Sequence, residues 1–183
     1  MEDIELFLGN VCKSLGNFKP LTDALKDHDS FVVRNIIIIL GEVNFPGVSQ
    51  EMAPLLNHQN QKVREEVVRT MGDIGDELCV AALGNFILKG ENHDEVSVAI
   101  ATLSLMMQPG IDKWLIDAYQ KTGHSETRME IVTALSRVAT MESEKFLEAL
   151  AKRNLWEVIT GRNKVLSKTA NESLQAVRKM LRG

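Results

Sequence analysis

Residues 58–75 read HQNQKVREEVVRTMGDIG, and this stretch decides the fold because most of its pattern recurs along the chain. Its apolar residues Val67, Met71 and Ile74 are spaced by four and three positions, which places them on one face of a helix. Residues 28–44, which lie 30 positions upstream, read HDSFVVRNIIIILGEVN and carry the same pattern. A pattern that returns at a fixed period indicates a repeat protein.

One apolar position can be aligned through five successive repeats, and we call its occupants the register residues. They are Leu40, Met71, Leu103, Leu135 and Leu174, with spacings of 31, 32, 32 and 39. A shorter helical pattern precedes each of these helices, so each repeat is predicted to be a helix, a turn and a second helix. Two amphipathic helices cannot bury their apolar faces alone, and repeats must therefore stack. The sequence predicts an all-α fold, a right-handed α-solenoid (α-α superhelix) of about five helical hairpins.

The repeats divide the chain as a single domain over residues 1–183. We predict a half repeat at 1–17 and repeats at 18–45, 46–76, 77–108, 109–140 and 141–183. The last spacing is longer because of residues 154–164, NLWEVITGRNK, which we expect to form an extended loop or an extra turn. Neither end has an obviously polar capping repeat, which solubility of a repeat stack requires. We therefore expect this chain to be part of a longer protein or to form a homo-oligomer.

Composition limits the class of protein. Hydrophobic residues make up 44% of the chain and aromatics only 5%, which suits packed helices better than a β-sandwich. The N-terminus, MEDIELFLGN, is not a signal peptide, and the apolar runs are far shorter than the roughly 20 residues that span a bilayer. Two cysteines, Cys12 and Cys79, are too few for a structural zinc cluster. We expect a cytoplasmic protein with no membrane contact.

Residues 58–75 resemble the second helix of HEAT repeats. In that family a polar turn precedes Val-Arg, here Val33-Arg34 and Val63-Arg64, and a large apolar residue followed by glycine comes later. The match is weaker where Ser97 replaces the arginine and where Thr127-Arg128 replaces Val-Arg. The period of about 32 is similar to that of short bacterial HEAT repeats, including phycobilin-lyase-type proteins. The resemblance covers most of residues 18–181 and implies the fold rather than the function.

The resemblance implies that the second helices line a concave face. Outward positions on these helices mix apolar, acidic and basic residues, which fits a protein or peptide partner better than a polyanion. We therefore predict a non-enzymatic interaction or scaffold module. The candidate partner-binding stripe consists of Ile38, Glu42, Arg69, Asp73, Thr102, Leu105, Thr133 and Arg137.

Nucleic-acid binding through a basic C-terminal end is an alternative function. Residues 1–144 carry 12 Lys and Arg against 22 Asp and Glu, whereas residues 145–183 carry 9 against 3. Such an asymmetry can dock an acidic partner, although nucleic acid is not the partner we expect. The alternative basic patch consists of Arg153, Arg162, Lys164, Lys168, Arg178, Lys179 and Arg182.

A lyase-like or metal-dependent HEAT enzyme is the other alternative. His28, His58, His93 and His124 recur before the second helices. The deoxyhypusine hydroxylase branch of HEAT proteins binds di-iron through His-Glu pairs, and this chain has none. Single histidines in repeats stacked roughly 8–10 Å apart cannot converge on one ion. We therefore predict no metal, no cofactor and no catalytic residue, with the histidines as exposed turn residues.

Trp114 and Asp117 raise one further enzymatic possibility. HEAT-like alkylpurine DNA glycosylases use aromatic residues and an aspartate in a basic groove. The acidic balance of residues 1–144 is opposite to what such a groove needs. We predict instead that Trp114 packs between repeats and that Asp117 is exposed.

Overall fold

The computed structural model describes residues 10–11, 13–14, 16–159 and 164–182, and for residues 153–159 and 164 it describes the backbone alone. The chain forms two compact units, residues 1–83 and 84–183. Most of the half repeat predicted at 1–17, including Cys12, lies outside the described residues.

All regular secondary structure in the described residues is helical, and these residues contain no strand. The all-α prediction is therefore confirmed. The helices are α1 (Lys19–Ala24), α2 (Ser30–Val43), α3 (Val48–Met52) with a 3₁₀ helix (Ala53–Asn57), α4 (Gln61–Ile74), α5 (Glu77–Lys89), α6 (His93–Leu105), α7 (Ile111–Lys121), α8 (Ser125–Val138), α9 (Met141–Ile159) and α10 (Lys164–Arg182).

The polar turns of the repeat pattern cap three of the second helices, α2, α4 and α6. The side chains of Asp29, Asn60 and Asn92 each accept a hydrogen bond from the backbone N–H two positions later, at 2.9, 2.9 and 3.0 Å. These bonds satisfy amide groups that a helix start would otherwise leave without a partner. The recurring Asx residue before each Val-rich segment therefore sets where α2, α4 and α6 begin.

Three of the second helices end in the same way. Asn44, Gly75 and Ala139 are left-handed, with φ of 43°, 66° and 49°. The N–H of each donates to the carbonyl of the register residue in its own helix, at 2.9, 3.0 and 3.1 Å. This is the usual C-terminal cap of a helix, and it places the chain reversal at a constant distance from the register residue.

The register residues form the core. Leu40, Met71, Leu103 and Leu135 are fully buried, and Leu174 is 7% exposed. In the first unit α2 packs against α4. In the second unit α6 packs against α8 and α8 against α10, while α7 contacts α8 and α9 contacts α10. Within each unit, neighbouring second helices therefore pack side by side in one layer.

Small residues allow the closest helix approaches. A Cβ atom added at Gly41, directly after the register residue of α2, would overlap the side chain of Thr70 on α4. On the first-helix side of the second unit, a Cβ at Gly84 on α5 would lie 2.7 Å from Cγ of Trp114 on α7. Trp114 thus packs between neighbouring repeats, and Asp117 is exposed.

The last repeat differs from the expectation. Residues 154–164 were expected to form an extended loop or an extra turn, but α9 continues through them to Ile159, so the loop prediction is wrong for residues 154–159. The segment contains helix-compatible residues such as Leu155 and Glu157 and meets no glycine before Gly161. Residues 160–163 lie outside the described residues. In the described residues, no helix is long and apolar enough to cross a membrane.

A polar contact joins the first helices of neighbouring repeats in the first unit. Asp76 caps the start of α5 by accepting the backbone N–H of Cys79 at 2.7 Å, and the Ser49 hydroxyl on α3 donates to its other oxygen. Burial disfavours the charged form of Asp76, but these hydrogen bonds outweigh that effect and lower its pKa below the ordinary 3.8. The ionised carboxylate is therefore a stabilising group.

This lowered pKa predicts acid sensitivity of the first unit. A carboxyl whose folded pKa is depressed contributes stability above its unfolded pKa and loses that contribution as the pH falls through the folded value. The difference in the free energy of unfolding between wild type and Asp76→Asn should therefore be largest near neutral pH and shrink below about pH 4. Urea unfolding at several pH values measures it, and Ser49→Ala should reduce the same pH dependence. An equal difference at neutral and acidic pH would contradict the prediction.

Candidate functional site

Four residues of the predicted stripe lie on second helices of the first unit, and four lie on second helices of the second unit. In the first unit Glu42 on α2 and Arg69 and Asp73 on α4 are exposed, and Ile38 is half-buried. Because α2 and α4 pack side by side, these four residues belong to one surface. We call it the first-unit face.

The second unit carries the other half of the stripe on α6 and α8, which also pack side by side. Leu105, Thr133 and Arg137 are exposed, and Thr102 is half-buried. The Thr133 hydroxyl donates to the carbonyl of Met129 in its own helix at 3.0 Å, so it is already engaged. This surface therefore offers one cation, one apolar side chain and few polar groups.

A buried carboxylate organises the first-unit face. Glu66 on α4 is only 5% exposed, although glutamate is seldom buried without partners. Its Oε2 accepts from Nε of Arg34 on α2 at 3.0 Å. Its Oε1 accepts from Nε of Arg69 at 2.9 Å and also from Nη2 of that residue. One carboxylate thus holds two guanidinium groups, one from each helix.

These bonds orient the two arginines on a surface that remains accessible to solvent. The side chains of Arg34 and Arg69 are 40% and 64% exposed. The hydrogen bonds that Arg69 donates to Glu66, with smaller attractions to the charges of Glu66 and Asp73, raise the pKa of Arg69 against the opposing effect of burial. Both guanidinium groups are permanently charged, so this pair is a fixed cationic feature between α2 and α4.

The arginine pair borders a cavity of about 480 Å³. All of its lining residues carry charged groups, and they come from two neighbouring second helices. Arg34, Lys62, Glu65, Glu66 and Arg69 line it. Glu65 accepts from Gln61 at 2.8 Å within α4. The cavity therefore presents three cations together with two carboxylates, of which Glu66 is already occupied by the arginines.

Sequence reasoning found Arg69 but missed Arg34, Lys62, Glu65 and Glu66 as members of the site. One signal was available, because Glu66 falls three positions after Val63, on the edge of the apolar face of α4. An acidic residue in that position needs a buried partner. The partner, Arg34, is 32 residues away. The arginines of the two Val-Arg motifs also have different roles. Arg34 bonds to a side chain of the next repeat, whereas Arg64 donates to the carbonyls of His58 and Gln59 in its own turn.

The described part of the basic patch is largely paired with carboxylates. Arg178 lies 2.9 Å from Glu144 and 3.5 Å from Glu148, and Arg182 lies 3.6 Å from Glu144. Lys168 pairs with Glu172 on its own helix at 3.8 Å, and Lys179 is exposed. These ion pairs reduce the charge available to phosphates. Arg162 lies outside the described residues, as do the side chains of Arg153 and Lys164.

Two histidines depart from the prediction of exposed turn residues. His28 and His124 are exposed, but His58 and His93 are half-buried. The Nδ1 of His58 accepts from the backbone N–H of Asn60 at 3.0 Å in its own turn, whereas His93 connects α6 to α8. Its Nδ1 lies 3.2 Å from the Thr127 hydroxyl, and its Nε2 lies 3.5 Å from Glu126 and 3.8 Å from Glu130. The prediction considered only the turn that contains each histidine, whereas these partners come from the next repeat.

His93 also borders a smaller cavity in the second unit, of about 250 Å³. The cavity lies between the turns that precede α6 and α8, and its charged lining residues, Glu91 and Lys121, have opposite signs. Within the described residues, no three His, Cys, Asp or Glu side chains are placed to hold a metal ion. Burial raises the pKa of the Cys79 thiol to about 11, so this buried thiol is not an activated nucleophile.

Comparisons with known proteins agree on the fold. Residues 18–105 match the family model described as HEAT repeats. No curated protein matches the chain. An engineered protein of known structure superposes with a TM-score of 0.57 at 17% identity, over 93% of this chain and 83% of that chain.

Designed armadillo repeat proteins are also similar. One, in complex with the peptide (KR)4, superposes with a TM-score of 0.56 at 17% identity, over 92% of this chain and 85% of that chain. Another, computationally designed for modular peptide recognition, gives 0.53 at 17% identity over the same shares. Likeness at this identity concerns the fold alone. Together with the family match over residues 18–105, it shows that the chain has a helical-repeat fold similar to that of HEAT and armadillo proteins.

Proposed function

We propose that the chain is a non-enzymatic interaction module that binds a protein or peptide on the exposed face of its second helices. The observation that carries the proposal is the first-unit face, where a buried glutamate holds two arginines beside a cavity of about 480 Å³. Side chains held in place before binding lose less conformational entropy when a partner is bound. HEAT and armadillo folds generally serve as scaffolds, which supports the same assignment.

The fold comparison supports a peptide or protein partner. The designed armadillo protein with a similar fold holds a peptide, and in this chain the outward positions of the second helices are similarly exposed. The mixed chemistry of Ile38, Glu42, Arg69 and Asp73 resembles that of protein interfaces, which combine apolar and charged groups. Nucleic acid is disfavoured because Glu144, Glu148 and Glu172 already pair with cations of the basic patch.

Affinity capture from a cell lysate, with and without nuclease and read by mass spectrometry, tests the proposal. We expect captured proteins to survive nuclease and to be lost with Arg69→Glu or with Arg137→Glu, which reverse one charge on the face of each unit. Lys26→Glu is the matched control, because Lys26 is 82% exposed and belongs to neither face. Loss of all captured proteins on nuclease treatment, or identical capture by both face variants, would show the proposal to be wrong.

A further inference from the structure

The cavity between α2 and α4 is cationic within an acidic unit. Residues 1–83 carry 7 Lys and Arg and 13 Asp and Glu, a net charge of −6. Three of these seven cations, Arg34, Lys62 and Arg69, nevertheless line the one cavity. With Glu65 and Glu66 counted, the lining has a net charge of +1, whereas the unit as a whole is negative.

Glu66 is the internal counter-charge of this cluster rather than a competing ligand. Both of its oxygens accept hydrogen bonds from the arginines, and it is nearly inaccessible to solvent. A guanidinium has five N–H donors. The bonds to Glu66 use one donor of Arg34 and two of Arg69, and both side chains keep substantial exposure.

We propose that this cavity binds a carboxylate of an acidic peptide segment, with Arg34 and Arg69 as hydrogen-bond donors and Lys62 as an additional positive charge. The proposal rests on the proposed function and specifies its partner. Planar guanidinium groups match the geometry of carboxylates and form charge-assisted bonds about twice as strong as neutral ones. A volume of about 480 Å³ is enough for one or two acidic side chains.

Charge at longer range argues for a short acidic segment rather than a polyanion. Glu42 and Asp73 lie on the same first-unit face, and the unit as a whole is negative, so a nucleic acid would be repelled beyond the cavity. The three lining cations also disfavour a basic ligand such as the (KR)4 peptide held by the designed armadillo protein. A segment with one or two carboxylates is attracted by the cations of the cavity and avoids the repulsion that a polyanion would meet beyond it.

Selection from a random-peptide display library against the purified chain tests the inference. We expect the selected peptides to be enriched in Asp and Glu, and their replacement by Asn and Gln to abolish most binding in fluorescence anisotropy. Arg69→Gln should weaken the best acidic peptide by about tenfold, the size expected for a charge-assisted hydrogen bond. Lys62→Gln should weaken it by about two- to fivefold, because an exposed charge contributes less.

The variants separate binding from folding. Lys62 has no bond to Glu66 and Lys62→Gln leaves the Glu66–arginine contacts in place, so its effect cannot come from loss of structure there. Lys26→Gln removes another exposed cation of the same unit, one that does not line the cavity, and should change nothing. The selected peptides could instead show no enrichment in Asp and Glu and yet lose binding with Arg137→Glu or Ile38→Asp. That result would refute this inference and leave the proposed function standing. An empty selection would refute this inference, while the proposed function would still be decided by the lysate capture. Equal competition by a single-stranded oligonucleotide would refute the acidic-peptide assignment.

Discussion

Leu103→Ala is expected to lower the free energy of unfolding by about 2–5 kcal/mol, the largest effect that we predict for a single substitution. Leu103 is the register residue of α6 and is fully buried. Truncation to alanine removes apolar area from the core and leaves a cavity, and both losses add. Since α6 contacts both α7 and α8 in the second unit, the cavity would disturb the packing of α6 against its neighbours.

Leu105→Ala is the matched control, because it makes the same chemical change two residues away on the same helix. Leu105 is 69% exposed, so its truncation should change stability by less than about 0.5 kcal/mol. Urea unfolding followed by circular dichroism measures both variants. Similar costs for the two substitutions would mean that the register of α6 is wrong. Leu105→Ala also serves the functional proposal, since it removes an apolar side chain from the second-unit stripe without damaging the fold.

The core could be predicted from the sequence because helical periodicity is a local property. Spacings of 31 and 32 residues were enough to identify Leu40, Met71, Leu103 and Leu135, and all four are fully buried. A small residue after the register residue also permits a close helix approach at Gly41, where an added Cβ would overlap Thr70. The resemblance to HEAT repeats is confirmed by the family match over residues 18–105.

The candidate site could be predicted only in part. Exposure of Glu42, Arg69 and Asp73 follows from the same helical periodicity, whereas the role of these residues in binding stays a prediction. The bond between Arg34 and Glu66 joins side chains in different repeats and depends on how far α2 and α4 are offset along their axes. No local pattern fixes that offset. For the same reason the contacts of His93 with Thr127 and Glu130 were missed.

Gly84→Ala is the second substitution with a large expected effect, a loss of about 1–3 kcal/mol in the free energy of unfolding. Alanine normally favours a helix over glycine by up to about 1 kcal/mol, so helix propensity alone predicts stabilisation. In α5, however, the added Cβ would lie 2.5 Å from Cε3 and 2.7 Å from Cγ of Trp114. These atoms belong to a rigid ring rather than to the end of a flexible chain, so α5 and α7 must move apart or the indole must leave its position.

The sign of the effect separates steric overlap from helix propensity, and a second substitution identifies the overlapping group. Gly123→Ala is the control, because a Cβ at Gly123 has no atom within 4 Å; it should be neutral or slightly stabilising. Trp114→Leu should cost stability in the wild type by removing buried ring surface, but should cost less in the Gly84→Ala background, where the indole is already displaced. A double-mutant cycle measured by urea unfolding gives this coupling directly. Additive costs would mean that Gly84 and Trp114 do not contact each other, and the close approach of α5 and α7 would then need another explanation.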